Sequence, residues 1–154
     1  MIVYSKLSSV LAALVAVFSL SIGAAHADKR ADVEALMGKA VAHYQSVGQS
    51  QAIKDFADSN SGFMSGDIYI VVQATDGNVI AHPINAKLNG KNLIGIKDTD
   101  GTAFVKEMVT IAESKGEGWL DYKWVHPETK KIAGKTTMVK RVTDGVFLTI
   151  GYYN

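Results

Sequence analysis

The chain has 154 residues, enough for one domain with a substantial core, and it contains no cysteine. It therefore lacks the groups needed for disulfides, thiolate metal sites or a cysteine nucleophile. Sixteen Lys and Arg residues stand against 15 Asp and Glu residues, which gives a formal net charge of +1. A chain this close to neutral, without an arginine-rich stripe, is predicted to have no nucleic-acid partner.

The first 27 residues have the pattern of a secretory signal peptide. Lys6 precedes an apolar run from Leu7 to Ile22, and the segment ends in Ala25-His26-Ala27, which matches the A-x-A cleavage pattern. The run is shorter than the roughly 20 residues that usually span a bilayer, although an uncleaved anchor is the alternative. The sequence predicts a signal peptide at residues 1–27 and a periplasmic or secreted domain at residues 28–154 without a membrane span.

Two helices are predicted before any strand. Residues 28–47 carry apolar side chains at helical spacing, and Gly48 ends that helix. Ser50 is the predicted N-cap of a shorter helix that extends to Asp58.

The period then changes to that of strands. Residues 67–74 are β-branched and apolar on both faces, which predicts a central strand. The turn at residues 75–78 contains Asp-Gly, a hairpin signal, and a second strand is predicted at residues 79–82. The long polar loop at residues 85–97 is a candidate functional segment, because long loops in compact domains often carry function.

A third helix is predicted at residues 102–114, with Asp98 or Asp100 as its N-cap. Three further strands are predicted at residues 119–125, 135–142 and 146–153. Helices that are segregated from runs of strands predict an α+β domain with one five-stranded antiparallel sheet.

The segment from Gly118 to Lys135, GWLDYKWVHPETKKIAGK, contains both tryptophans of the chain. Strand alternation places Leu120, Tyr122 and Trp124 on one face and Trp119, Asp121 and Lys123 on the other. Large amphipathic rings beside a basic residue suit either a packed sheet or a small-molecule pocket. Both interpretations stay open at this point.

The sequence contains no motif of a known catalytic or cofactor site. Asp98, Asp100 and Gly101 do not have EF-hand spacing, and His43, His82 and His126 are too scattered for a zinc motif. We find no nucleophile elbow, no phosphate-binding loop and no dinucleotide fingerprint. The sequence therefore predicts a protein that is not an enzyme and that has no cofactor and no metal.

Several segments together resemble the single Cache domain of bacterial extracytoplasmic sensors. They are YIVVQATDGNVIAHP at residues 69–83, NGKNLIGIKDTDGTAFVKEM at residues 89–108, GWLDYKWVHPETKKIAGK, and the final TIGYYN. The resemblance implies a PAS-like fold, in which a long N-terminal helix covers one face of a five-stranded antiparallel sheet. The other face would hold a ligand pocket, covered by the loop and helix between the second and third strands.

The resemblance also implies a set of site residues. Lys135 would face the pocket near Tyr122 and Trp124, whose hydroxyl and indole N–H groups could donate hydrogen bonds while their rings form walls. The alternative for Lys135 is a solvated lysine at a strand end.

Three more residues complete the predicted site. His82, between Ala81 and Pro83, would point its imidazole into the cavity, unless it is a half-exposed hairpin histidine. Tyr69 would form part of the wall, or would be an ordinary core residue. Lys91 in the long loop would close over an anionic ligand, or would be exposed.

These expectations lead to a function. The resemblance predicts a periplasmic domain that binds a small molecule, most simply a short carboxylate, and that acts in chemotaxis or other signal transduction. Because the sequence ends at Asn154 directly after the last predicted strand, a separate membrane receptor or histidine kinase is the predicted partner. The alternatives are a structural or protein-interaction module with a filled pocket, and an enzyme that uses His82.

Overall fold

The computed structural model describes the backbone from residue 8 and the side chains from residue 28 to residue 154. The predicted signal peptide lies outside the residues whose side chains are described, and its cleavage stays a prediction. The chain divides into two compact units, residues 1–32 and residues 33–154. In the described part of the chain no helix is both long enough and apolar enough to cross a membrane.

The described residues form three α-helices and five strands. The helices are α1 (Ser8–Val47), α2 (Gln49–Ala57) and α3 (Phe104–Ser114), and a short 3₁₀ turn covers Ala86–Leu88. The strands are β1 (Ile70–Ala74), β2 (Val79–Ala81), β3 (Glu117–Val125), β4 (Ile132–Thr143) and β5 (Val146–Tyr153). The type and order of these elements confirm the sequence-based prediction.

All five strands belong to one antiparallel sheet with the order β2-β1-β5-β4-β3. The turn from β1 to β2 has Gly77 at a φ of 91°, a left-handed conformation that glycine adopts without steric cost. Asp76 Oδ1 accepts a hydrogen bond from Asn78 N at 2.9 Å in the same turn. The α+β class and the PAS-like sheet are confirmed.

One face of the sheet packs against α1 and α2 through apolar side chains, and we call it the helix face. Phe56 of α2 and Leu148 of β5 are at most 1% exposed there. The cluster also includes Val33, Met37, Ala40 and Tyr44 of α1, together with Ile70, Val72 and Ile150 of the sheet. Apolar burial therefore holds the helices on this side.

The opposite face of the sheet is covered by α3 and the long loop, and we call it the pocket face. The buried stripe of α3 packs on Val139 and Phe147, and its members are Phe104, Val105, Met108, Val109 and Ala112. Leu88 and Leu93 of the loop pack on Tyr69, Val71 and Val79. The loop and the helix between β2 and β3 thus form the predicted cover.

Helix caps differ from the prediction. Gly48, not Ser50, is the N-cap of α2, and Ser50 lies inside the helix. Ala103 is the N-cap of α3, with no side-chain cap hydrogen bond. Asp98 instead accepts hydrogen bonds from the backbone N–H groups of Asp100, Thr102 and Lys123 at 2.8 to 2.9 Å. Its carboxylate therefore joins the loop to β3. The two local hydrogen bonds, to Asp100 and Thr102, compete with helix capping.

Several element boundaries also differ, since β1 begins at Ile70, α3 at Phe104 and β3 at Glu117. Strand β4 begins at Ile132, so the prediction that Lys135 starts this strand is wrong. Cross-strand pairing causes the difference, because Ile132, Ala133 and Gly134 pair with Val125, Trp124 and Lys123 of β3. Helix α1 begins at Ser8 rather than at residue 28.

Candidate ligand-binding site

A small cavity lies on the pocket face, between the sheet, α3 and the long loop. Its volume is about 30 Å³. Apolar side chains form most of its walls, including Val71, Val79, Leu88, Leu93, Phe104, Val105 and Met108. Five of the six predicted site residues also line it: Tyr69, His82, Tyr122, Trp124 and Lys135.

Lys135 is the cation of this cavity. It lies opposite Tyr122 in the β3–β4 register and is only 4% exposed, so the alternative of a solvated lysine is wrong. Its Nζ donates a hydrogen bond to Tyr69 Oη at 2.9 Å and lies 4.9 Å from the centroid of the Tyr153 ring. No Asp or Glu oxygen among the described side chains lies within 4.0 Å of this Nζ.

Burial lowers the pKa of Lys135 to about 7, and the charge of Asp67 opposes this with a smaller effect. Burial in an apolar wall without a carboxylate partner disfavours the charged form of an amine. A bound anion would reverse that preference, since the two opposite charges stabilise each other.

Gly151 of β5 makes room for the lysine side chain. It is the register partner of Thr137 on β4. A Cβ at this position would lie 2.3 Å from Thr137 Oγ1 and 2.9 Å from Lys135 Cε. The sequence analysis missed Gly151, although a glycine inside an apolar strand indicates a close approach of other atoms.

His82 is buried, at 7% exposure, so the alternative of a half-exposed hairpin histidine is wrong. Its Nδ1 accepts a hydrogen bond from Asn85 N at 3.1 Å, which leaves Nε2 as the protonated nitrogen of the neutral ring. Burial, together with the charge of Lys135, lowers its pKa to about 4. Near neutral pH the residue is therefore an uncharged donor.

Tyr69 lies between Lys135 and His82. It is 2% exposed, and its ring centroid is 5.3 Å from that of His82. Its hydroxyl accepts from Lys135 and lies 3.4 Å from the Tyr153 hydroxyl, which donates to the carbonyl of Val125. Burial raises the pKa of Tyr69, so its hydroxyl keeps its proton, which it can donate to the Tyr153 oxygen in this structure.

Tyr122 and Trp124 form an aromatic wall with Phe104 of α3. The Tyr122 ring stacks on Phe104 at 4.5 Å between centroids, and Trp124 meets the same ring edge-on at 5.2 Å. Burial raises the pKa of Tyr122, with a smaller opposing effect from the Thr137 hydroxyl. Trp119 packs against the helix-face core, as strand alternation predicted.

Lys91 is not part of the cavity. Its residue is exposed, and its backbone N–H and C=O groups bond to Leu88 and Val79 at 2.9 Å. These bonds hold its backbone in the turn beside β2, and Lys91 itself does not line the cavity. The structure therefore does not bring Lys91 to the other predicted residues.

The sequence analysis missed three polar lining residues, Gln73, Thr137 and Thr149. Gln73 and Thr137 are 6% and 1% exposed, and each has one oxygen without a hydrogen-bond partner, Gln73 Oε1 and Thr137 Oγ1. The Thr137 hydroxyl is near enough to affect the Tyr122 pKa, but the two groups do not have hydrogen-bond geometry. The available signal was polar residues at inward positions of otherwise apolar strands.

A larger outer pocket of about 230 Å³ adjoins the cavity and shares Tyr69, His82 and Trp124 with it. Its remaining walls come from the loop after β2 and from the β3–β4 turn, which includes Lys130. Asp67 lies beside this outer pocket, 3.8 Å from Nε2 of its lining residue His126. Among the described residues no group of three His, Asp or Glu side chains could hold a metal ion.

The family model described as Cache domain matches residues 33–151. The chain belongs to the Cache domain family. The match covers α1 from Val33, all of α2, α3 and strands β1 to β4, and β5 as far as Gly151.

Two curated relatives are signalling proteins. The chain is 32% identical over 74 residues to the methyl-accepting chemotaxis protein McpP of Pseudomonas putida, which covers 48% of this chain and 14% of that protein. It is 37% identical over 73 residues to the sensor histidine kinase MctS of Rhizobium johnstonii, covering 47% of this chain and 16% of the kinase. The chain thus matches only a small share of each relative.

Solved structures of similar domains cover nearly the whole chain. A Cache chemosensory domain described as recognising carboxylic acids has a TM-score of 0.70 and 28% identity, and the match covers 88% of this chain and 97% of that one. A methyl-accepting chemotaxis protein from Vibrio parahaemolyticus has a TM-score of 0.74 at 21% identity over 85% and 92% of the two chains. The latter shows the shared fold.

Proposed function

We propose that this domain binds a short monocarboxylate in the cavity beneath α3 and the long loop. The observation that carries the proposal is Lys135, a buried amine with hydrogen-bond capacity toward the cavity and no acidic partner among the described side chains. A carboxylate would supply the missing negative charge, and a charged hydrogen bond stabilises a complex by about 1.5–3 kcal/mol.

The neighbouring groups fit the same ligand. The Tyr69 hydroxyl and the His82 Nε2–H are neutral donors beside the amine, and carboxylate oxygens accept several such bonds. No Asp or Glu lines the cavity, so the ammonium group of an amino acid or an amine would have no charged partner. The small volume favours acids of two to four carbons.

The partner and the location are part of the proposal. Cache domains are extracytoplasmic sensors, and we infer that residues 1–27 direct this chain to the periplasm or the outside of the cell. McpP and MctS support a role in signalling with a chemoreceptor or a histidine kinase. The domain would act by ligand binding rather than by catalysis.

The alternative is an interaction module whose pocket is filled by its own side chains. The small cavity, about 30 Å³, is the observation that favours it, because ordinary ligand pockets measure about 300–1,000 Å³. In this case the buried polar groups would have a structural role, and partner binding would use another surface.

A thermal-shift screen of acids with two to four carbons, amino acids and amines separates the two functions. A ligand at about 100 times its Kd adds ~2.7 kcal/mol to the free energy of unfolding. We expect stabilisation by monocarboxylates and none by amines. A panel without any stabilising acid would favour the interaction module.

A matched pair of lysine variants tests the site. Lys135→Met should weaken carboxylate binding by about 1.5–3 kcal/mol in calorimetric titration, because it removes a charged donor. Lys91→Met removes an exposed lysine that lies outside the cavity, and it should leave the affinity unchanged. Equal effects of the two variants would contradict the proposed site.

A further inference from the structure

The amide of Gln73 is buried in the cavity wall with half of its hydrogen-bonding capacity unused. Its Nε2 donates to Thr149 Oγ1 at 3.3 Å and lies 3.9 Å from Met108 Sδ. These contacts orient the amide, and its carbonyl Oε1 is left without a partner. Leaving a buried acceptor unpaired is costly, so such a group needs a reason to be there.

Gln73 lies away from the cationic end of the cavity. The Gln73 amide bonds to Thr149, whereas Lys135 Cε lies beside Gly151, two residues further along β5. Two residues of a strand span about 7 Å, which a three-carbon acid and its hydrogen bonds can bridge. A carboxylate bound to Lys135 and Tyr69 would therefore point its tail, rather than its charged group, toward Gln73.

The chemistry of the wall limits what that tail can carry. An amide oxygen accepts a hydrogen bond and gives none, so its partner must be a donor. An ammonium group would be a charged donor without an acidic partner, since no Asp or Glu lines the cavity. A hydroxyl is the small neutral donor that fits these conditions.

We propose that the ligand is a short carboxylate with a hydroxyl on its tail, as in a 3-hydroxy acid, and that Gln73 Oε1 recognises this hydroxyl. The inference rests on the proposed carboxylate site and defines its substrate class more narrowly. A site with a buried acceptor rejects analogues that lack the matching donor, because the acceptor then stays unpaired. Gln73 is thus a specificity-determining residue.

Three acids of matched carbon number test the inference by calorimetric titration. They are propionate, its 2-hydroxy derivative lactate, and the isomer 3-hydroxypropionate. We expect 3-hydroxypropionate to bind about tenfold more tightly than propionate, which is the usual size of a buried hydrogen-bond effect. Lactate should bind no more tightly than propionate, because its hydroxyl lies beside the carboxylate.

Variants then assign the preference to one residue. Gln73→Met removes the amide while keeping the side-chain length, and it should reduce the preference for 3-hydroxypropionate to less than twofold without weakening propionate. Its ligand-free melting temperature should not fall, because no buried acceptor is left unpaired. Thr137→Val removes the other unpaired buried oxygen and should keep the preference.

The outcomes separate this inference from the proposed function. If the acids bind through Lys135 with equal affinity, or if lactate is preferred, the hydroxyl inference is wrong while the carboxylate site stands. Loss of the preference in Thr137→Val but not in Gln73→Met would overturn the role of Gln73. If none of the three acids binds, the proposed function itself fails.

Discussion

The two faces of the sheet use the same strands for opposite purposes. On the helix face, Ile70, Val72, Leu148 and Ile150 pack against α1 and α2 with purely apolar side chains. On the pocket face, alternate positions of the same strands and of β4 are polar and buried: Gln73, Lys135, Thr137 and Thr149. Side-chain alternation separates the two sets at every step along a strand.

The difference separates positions that stabilise the fold from positions whose buried polar groups cost stability. Buried apolar contacts stabilise the fold at any position where they fit. Buried amines and unpaired amide or hydroxyl oxygens destabilise a fold unless a ligand or another group satisfies them. A sheet with one face of each kind is therefore expected to respond differently to mutation on its two sides.

The largest expected effect is on stability at the helix face. Leu148 is fully buried there, and Leu148→Ala should lower the free energy of unfolding by about 2–5 kcal/mol, through lost burial and the cavity that remains. Urea denaturation measures this change. Ligand affinity of the folded variant should stay as in the original protein, and a loss of affinity would show that the faces are coupled.

The next effect lies on the pocket face and combines stability with binding. Gly151→Ala places a Cβ against Thr137 Oγ1 and Lys135 Cε, and such overpacking typically costs about 1–3 kcal/mol. We expect lower stability in denaturation and also weaker carboxylate binding, because the lysine side chain has to move. Gly95→Ala is the control for replacing a glycine, since Gly95 has open space around it and, like Gly151, no positive φ. It should leave both stability and affinity nearly unchanged.

The pH dependence of stability should be specific to the pocket face. The pKa of Lys135 is about 7 in the folded protein against an ordinary 10.5, so the unfolded chain binds more protons between these values. Lys135 should therefore make the ligand-free protein more stable as pH rises from 7 toward 10. The pKa of His82, lowered from 6.5 to about 4, acts in the same direction between pH 4 and 6.5.

Melting temperatures across this range measure the effect. The original protein should gain stability relative to Lys135→Met as pH rises above 7. Carboxylate affinity should change in the opposite direction, falling above pH 7 as the amine loses the proton that the anion needs. If the melting temperatures of the two proteins changed in parallel with pH, Lys135 would be solvent-exposed rather than buried.

The smallest effect is spectroscopic and compares the two tryptophans. Trp124 lines the cavity, while Trp119 packs on the helix-face core. A carboxylate should change the fluorescence of Trp119→Phe, which keeps Trp124, and should leave that of Trp124→Phe almost unchanged. A response that follows Trp119 would contradict the separation of the faces.

Much of the fold could be predicted from the sequence, because it follows from local sequence patterns. The Asp-Gly turn, the alternation in β3 and the bounds of β5 agree with the structure. Caps and strand ends were less predictable. Asp98 bonds to Lys123, which is 25 residues away, and the start of β4 depends on pairing with β3.

The cavity could be predicted only in part. The aromatic or basic character of Tyr122, Trp124 and Lys135, and their positions along the strands, identified these three residues, which are close in sequence. Gln73 and Gly151 have meaning only beside residues from other strands. Lys91 matched the expected chemistry of an anion site, but its turn holds it in solvent.

The sequence by itself determined the α+β class, the order of elements and the division of the aromatic residues between two faces, since these follow from short-range periodicity. Only the tertiary structure decided that Lys135 is buried with no acidic partner within 4.0 Å among the described side chains, and that Gln73 has an unused oxygen. Burial and hydrogen-bond satisfaction depend on contacts between distant segments, and no local pattern reports them.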